Sequence, residues 1–265
     1  MTYNDVSELS ELFDRVNREG AKPTGLRGAL RKLAFWRPAP KSRGVAAVML
    51  EALQGEGGIK AGSPEFFQAA RALCDSTGAL LMCDEVQVGM GRTGRMWGFQ
   101  NVGVEPDVFT LAKALGGGVP IGAMLCKERA NVFTPGDHAS TYGGNPLACA
   151  AGNAVARAMD SEGLVRNAEL RGEQLRRGLE ALAADERFAG MVHEVRGWGL
   201  ITGLELRASC GVTAGELVGK ATDQGLLLVP AGTHVVRFVP PLVVTEANVD
   251  EALKRFEAAL LDARK

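Results

Sequence analysis

Apolar residues recur at helical spacing over residues 5–19, with Leu9, Leu12, Phe13 and Val16 on one face, and this predicts a short amphipathic helix. Residues 45–50 run apolar without a break, as expected of a central parallel strand covered on both faces. Ser63, Pro64 and Glu65 then supply an N-cap, a proline at the first helical position and an acid in the first turn. The helix they start should bury Phe66, Ala70, Leu73 and Cys74 and stop near Gly78. Residues 79–83 form the next buried strand, and 107–111 and 122–126 are two further strand candidates. Strand, helix and strand in this order predict a βαβ unit and a mainly parallel sheet. Asn145-Pro146 opens a long helical stretch to residue 183, with a break near Glu162-Gly163. Beyond it, short strands at 192–196, 203–206, 226–229 and 235–238 alternate with helices at 213–224 and 246–263. The last helix carries Val249, Leu253, Phe256 and Leu260 at helical spacing. The pattern reads as an α/β unit over residues 1–150 followed by a smaller α+β unit over 151–265.

Composition narrows the class of protein. The 265 residues carry a net charge of -1, so no global basic field recruits nucleic acid. No apolar run approaches the roughly 20 residues of a membrane span. Residues Met1 to Val6 are polar and acidic, unlike a signal or transit peptide. The five cysteines are scattered and read as reduced, which points to the cytoplasm. Neither they nor the three histidines have metal-ligand spacing. Residues 20–43 stand apart, with seven lysines and arginines, no acid, and prolines at Pro23, Pro38 and Pro40. They read as a solvated basic insertion.

In an open α/β sheet, ligands sit at the carboxyl ends of the strands. Three chemically rich segments fall there: residues 51–58 with Glu51, Gln54 and Glu56; Asp84-Glu85-Val86-Gln87; and Lys113 followed by Gly116, Gly117 and Gly118. A lysine on an apolar segment can lose its hydration and attack an aldehyde as a neutral amine. An aspartate at a strand end can keep a pyridinium nitrogen protonated. Alone, Lys113 reads as a solvated lysine, Gln87 as a loop amide, Glu56 as a solvated acid, Thr141 as a helix-entry residue, and Arg237 as an edge-strand arginine facing water. Three such strand ends in succession favour a shared site.

The run from Asp84-Glu85-Val86-Gln87 to Met90-Gly91-Arg92-Thr93-Gly94 is similar to the signature of the class III pyridoxal-phosphate aminotransferases. The Lys113 run with Val119-Pro120-Ile121-Gly122, and Ser140-Thr141-Tyr142-Gly143-Gly144-Asn145-Pro146, resemble the same family. The resemblance covers residues 45–265 throughout and 1–19 loosely. It implies the large domain of a fold type I, aspartate aminotransferase-like transferase, in part, with a C-terminal α+β small domain. It implies pyridoxal 5'-phosphate as cofactor, with Lys113 as the Schiff-base lysine and the base that moves the α-proton. Asp84 would pair with the pyridinium nitrogen, Gln87 with the phenolic oxygen, and Val86 would pack on the ring. Thr141 would bond the phosphate across a homodimer interface, and Arg92 would serve structure or that interface. Glu56 would pair with Arg237 and release it when a dicarboxylate enters.

Residues 53–59 and 136–141 look most like the acetylornithine branch, which implies transamination between N-acetylornithine and 2-oxoglutarate in arginine biosynthesis. Ornithine and succinylornithine are the alternative donors. The family's chain extends further at its N-terminus, where the resemblance expects a phosphate-binding turn, a ring-stacking aromatic and an arginine for the α-carboxylate. None is found before Glu51. A non-catalytic fragment, or a subunit completed by a second chain, is therefore the competing reading. A nicotinamide dehydrogenase is a poor one, because Gly116-Gly117-Gly118 lacks the dinucleotide-binding spacing.

Overall fold

The computed structural model describes residues 1–21 and 44–264. Apart from its first two residues, the basic stretch 20–43 lies outside them. Helix α1 (Val6–Ala21) lays Leu9 and Phe13 against Phe66 and Phe67 of α2 (Pro64–Thr77). The start of α2 follows the sequence: Ser63 Oγ accepts from the Phe66 N–H, Pro64 is the first helical residue, and Gly78 ends the helix in the left-handed region at φ 78°.

The first sheet has strands in the order β1 (Ala47–Leu50), β4 (Leu80–Asp84), β5 (Val108–Leu111) and β6 (Ala123–Cys126). The first three are parallel, with Leu50 beside Cys83 and Asp84 beside Thr110, while β6 runs antiparallel to β5. The βαβ expectation holds for β1, α2 and β4. The central position expected of residues 45–50 does not: among the described residues β1 pairs only with β4, and Met49 is 52% exposed. Between β1 and α2, the short ribbon of β2 (Leu53–Gln54) and β3 (Lys60–Ala61) lifts residues 55–59 as a hairpin tip.

The long helical stretch divides where expected. Helix α3 (Pro146–Ser161) is capped by Asn145, and α4 (Leu164–Ala184) starts after Gly163, whose φ of 62° favours a residue without Cβ. The second sheet is antiparallel, in the order β7 (Val192–Trp198), β8 (Ile201–Leu206), β10 (Val235–Phe238) and β9 (Val229–Pro230). Strand β9 is shorter and later than the expected 226–229, because only Val229 and Pro230 align with β10. Helices α4, α5 (Ala214–Asp223) and α6 (Glu246–Ala263) cover this sheet through Leu179, Leu217, Phe256 and Leu260.

A smaller cluster of Leu53, Ile59, Val88, Ile201, Ala231 and Val235 packs the hairpin against the second sheet. Arg196 of β7 reinforces the contact: its Nε and Nη2 donate to the Gly58 carbonyl, at 3.0 and 2.6 Å, and Nε also reaches that of Ile59. The hairpin thus leaves the first sheet and is fastened to the second.

Candidate active site

The carboxyl ends of β1, β4 and β5 face one side, as parallel strands require. There an open cavity of about 670 Å³ is lined by Glu56, Val86, Gln87, Lys113 and Arg237, with Met90, Arg92 and Met159 among the other residues of its wall. Five of the seven residues singled out from the sequence therefore meet, brought from the hairpin, the loop after β4, the turn after β5, and β10.

Asp84, the last residue of β4, sits beside Val86 rather than in the wall. Its Oδ1 accepts from the Val86 N–H at 2.9 Å and the Thr110 hydroxyl at 3.3 Å. Both bonds fall on one oxygen, which fixes the carboxylate and leaves Oδ2 as the acceptor for an incoming donor. Lys113 opens the short helical turn Lys113–Gly116 and is exposed among the described residues. Its backbone is left-handed at φ 43°. Met90 at φ 52° shares that conformation, so two of the four described non-glycine residues at positive φ line this cavity. Such backbones cost about 1–3 kcal/mol each and concentrate where a side chain must be aimed. Thr141 is not brought to the cavity and stands exposed in its own chain.

The opposite wall is tightly bonded. Arg237 lies in β10 between Gly203 of β8 and Val229 of β9, and is 7% exposed. The edge-strand, water-facing reading is therefore corrected: β9 covers the side that an edge would leave open. Arg237 Nη1 donates to Glu56 Oε1 at 2.7 Å and to Gln87 Oε1 at 3.1 Å. Gln87 Nε2 donates in turn to the same Glu56 oxygen at 3.0 Å. The Arg237 hydrogen bond, aided by its charge, the Gln87 amide and nearby Lys113, holds the Glu56 carboxyl below its ordinary range against the opposing effect of burial. Arg237 Nε is buried without an acceptor among the described residues. Behind Arg237 a smaller cavity of about 320 Å³ is walled by Leu226, Leu228, Pro240 and Val249, with no other ionisable residue, so it adds no chemistry.

Glu85 escaped the sequence reading, and Arg92 was read there only as serving structure or an interface. Arg92 Nη1 donates to the Leu200 and Pro240 carbonyls, tying the loop after β4 to the second sheet, and burial lowers its pKa to about 10. Its structural role was anticipated, its place in the cavity wall was not. Glu85 is 1% exposed and accepts from the Gly98 and Phe99 N–H groups at 2.6 and 2.9 Å. Burial raises its pKa to about 7 even against those two bonds. The only local sign was alternation: Glu85 directly follows the strand that ends Cys83-Asp84, two residues on from the buried Cys83.

The cavity suits pyridoxal phosphate on its own chemistry. It offers an amine, an amide and an apolar side chain, with a half-free carboxylate at the adjacent strand end. Among the described residues no group of acids, histidines and cysteines could hold a metal ion, and no helix is long and apolar enough to cross a membrane.

Among known proteins, the family described as aminotransferase class-III matches residues 14–260. The acetylornithine aminotransferase of Nostoc sp. is 58% identical over 216 residues, covering 82% of this chain and 50% of that protein. Its counterpart in Parasynechococcus marenigrum is 55% identical over 260 residues, covering 98% and 56%. Of the solved structures, the ornithine aminotransferase of Toxoplasma gondii ME49 superposes with a TM-score of 0.81 at 31% identity, over 99% of this chain and 56% of that one. The N-acetylornithine aminotransferase of Stenotrophomonas maltophilia gives 0.79 at 36% identity, over 99% and 61%. The chain spans about half the length of the curated relatives it matches.

Proposed function

This chain belongs to the class III aminotransferase family and has the fold type I architecture of its solved neighbours, and on that premise we propose that it serves pyridoxal-phosphate-dependent transamination between N-acetylornithine and 2-oxoglutarate. The observation that carries this reading is the convergence of Lys113, Gln87, Glu56 and Arg237 from four separate segments on one cavity. Pyridoxal phosphate, when bound, supplies an electron sink for the pair left on the substrate α-carbon. The chain's own groups do the rest. Lys113 would hold the cofactor through its amine and carry the α-proton away and back. Asp84 would hold the ring nitrogen through Oδ2, Gln87 the phenolic oxygen, and Val86 the ring face.

Arg237 binds the distal carboxylate of a dicarboxylate, and Glu56 neutralises Arg237 when the substrate's far end carries none. One cavity thereby takes two substrates of different charge. Ornithine is the neighbouring donor, favoured by the likeness to the Toxoplasma enzyme. Thr141, exposed and off the cavity, is assigned to the phosphate of a second copy in a homodimer. The relatives build their sites over about twice the length matched here, and residues beyond that match would complete this one. We divide the chain near residue 151 into a cofactor-binding part (1–150) and a small domain (151–265). Free thiols at all five cysteines suit a cytoplasmic protein.

The test is the absorbance of the purified chain with pyridoxal phosphate before and after borohydride, followed by mass mapping. The expected outcome is one reduced adduct on Lys113, absent in Lys113→Ala. Adducts spread over surface lysines in both proteins would refute the assignment.

A further inference from the structure

The three-way contact of Arg237, Glu56 and Gln87 contains more than a charge pair. Gln87 uses both ends of its amide: Nε2 holds Glu56 in place, and Oε1 occupies the same Arg237 nitrogen that Glu56 binds. A carboxylate that binds Arg237 at Nη1 therefore displaces a carboxylate and an amide together. The exposure of the partners makes the amide important. The Glu56 side chain is 70% exposed and the Arg237 side chain 9%, so the ion pair has water on one side, and its geometry depends on what restrains the glutamate.

The amide lies where it does because residue 55 is glycine. A Cβ there would come within 2.5–2.6 Å of Gln87 Cδ, Oε1 and Nε2, and those side-chain atoms are its three nearest neighbours. The Gly55 backbone is not in the left-handed region, so alanine there meets the Gln87 side chain first. Gly55 is itself fixed, its N–H donating to Glu51 Oε2 at 3.0 Å.

We propose that Gln87 sets how firmly Glu56 holds Arg237, with Gly55 as the clearance that admits it, so that this pair of residues tunes the affinity of the site for dicarboxylates. The proposal rests on Arg237 being the distal-carboxylate group. Drawing the Gln87 amide toward the cofactor would loosen the latch and tie the two ends of the cavity together.

The experiment is calorimetric titration of the full chain, without cofactor, with glutarate, a dicarboxylate that has no amino or keto group. Glu56→Gln is the control for the underlying reading and should tighten glutarate most. Gly55→Ala and Gln87→Leu should each tighten it by about threefold to tenfold, the worth of one net hydrogen bond. Because Gly55→Ala acts through Gln87, the double variant should bind no tighter than Gln87→Leu. A merely structural role would weaken binding or leave it unchanged.

Tighter binding by Glu56→Gln alone, with Gly55→Ala and Gln87→Leu unchanged or weaker, overturns the proposal and spares Arg237 as the carboxylate site. Additive tightening in the double variant also overturns it. Failure of both wild type and Glu56→Gln to bind glutarate removes Arg237 from that role, and the proposal with it.

Discussion

Strand β6 reads Ala123-Met124-Leu125-Cys126 and is exposed at every residue, whereas β10 reads Val235-Val236-Arg237-Phe238 and is buried at every residue. The more uniformly apolar strand is the open one, and the strand with the arginine is enclosed. What differs is the surroundings. Strand β10 has β8 and β9 on its two sides, helices on one face and the 55–59 hairpin near the other. Strand β6 pairs only with β5 among the described residues. Burial here follows the layers that neighbouring segments supply, not the hydropathy of the strand itself. The same contrast divides the candidate site. The Arg237 wall is bonded and covered, whereas Lys113 and Thr141, on the first sheet's side, face solvent.

The sharpest way to break this contrast is a charge in the enclosed strand. Val236→Asp places a carboxylate at a fully buried position and should cost at least about 4 kcal/mol, read as loss of the cooperative urea transition. A smaller effect comes from Glu85, on the first sheet yet deeply buried. Its folded pKa of about 7 lies above its ordinary 4.5, so the fold prefers the protonated form. Its contribution is most favourable below pH 4.5, declines as pH rises through 7, and is constant above. The full span is about 3 kcal/mol. Comparing urea midpoints at pH 5.5 and pH 8 should show that decline in the wild type and not in Glu85→Gln. An equal decline in both proteins would assign the effect elsewhere. The smallest effect belongs to the open strand: Met124→Lys should change stability by no more than about 0.5 kcal/mol. A loss of several kcal/mol there would mean that β6 is covered in solution.

Much of the fold was legible locally. Ser63-Pro64-Glu65 and Asn145-Pro146 announce helix starts with short-range chemistry, and Gly163 marks the break between α3 and α4 because the bend needs a positive φ. The burial of Arg237 was not legible. Its partner Glu56 lies 181 residues away, and the cover that encloses it is a two-residue strand ending in proline. No local period reports either. Lys113 is exposed among the described residues, and its apolar sequence neighbours do not report what would cover it. The part Gln87 plays between Glu56 and Arg237 also needed three dimensions, because an amide after a strand end carries no signal of which way it turns.

The grip of Arg196 on the hairpin has an evolutionary consequence. The guanidinium holds Gly58 and Ile59 by their carbonyl oxygens, which every residue possesses. The attachment is therefore blind to the side chain displayed at position 56. A lineage could exchange Glu56 for an amide, a cation or an apolar group, and so try new substrates, while the loop that presents it stayed moored to β7.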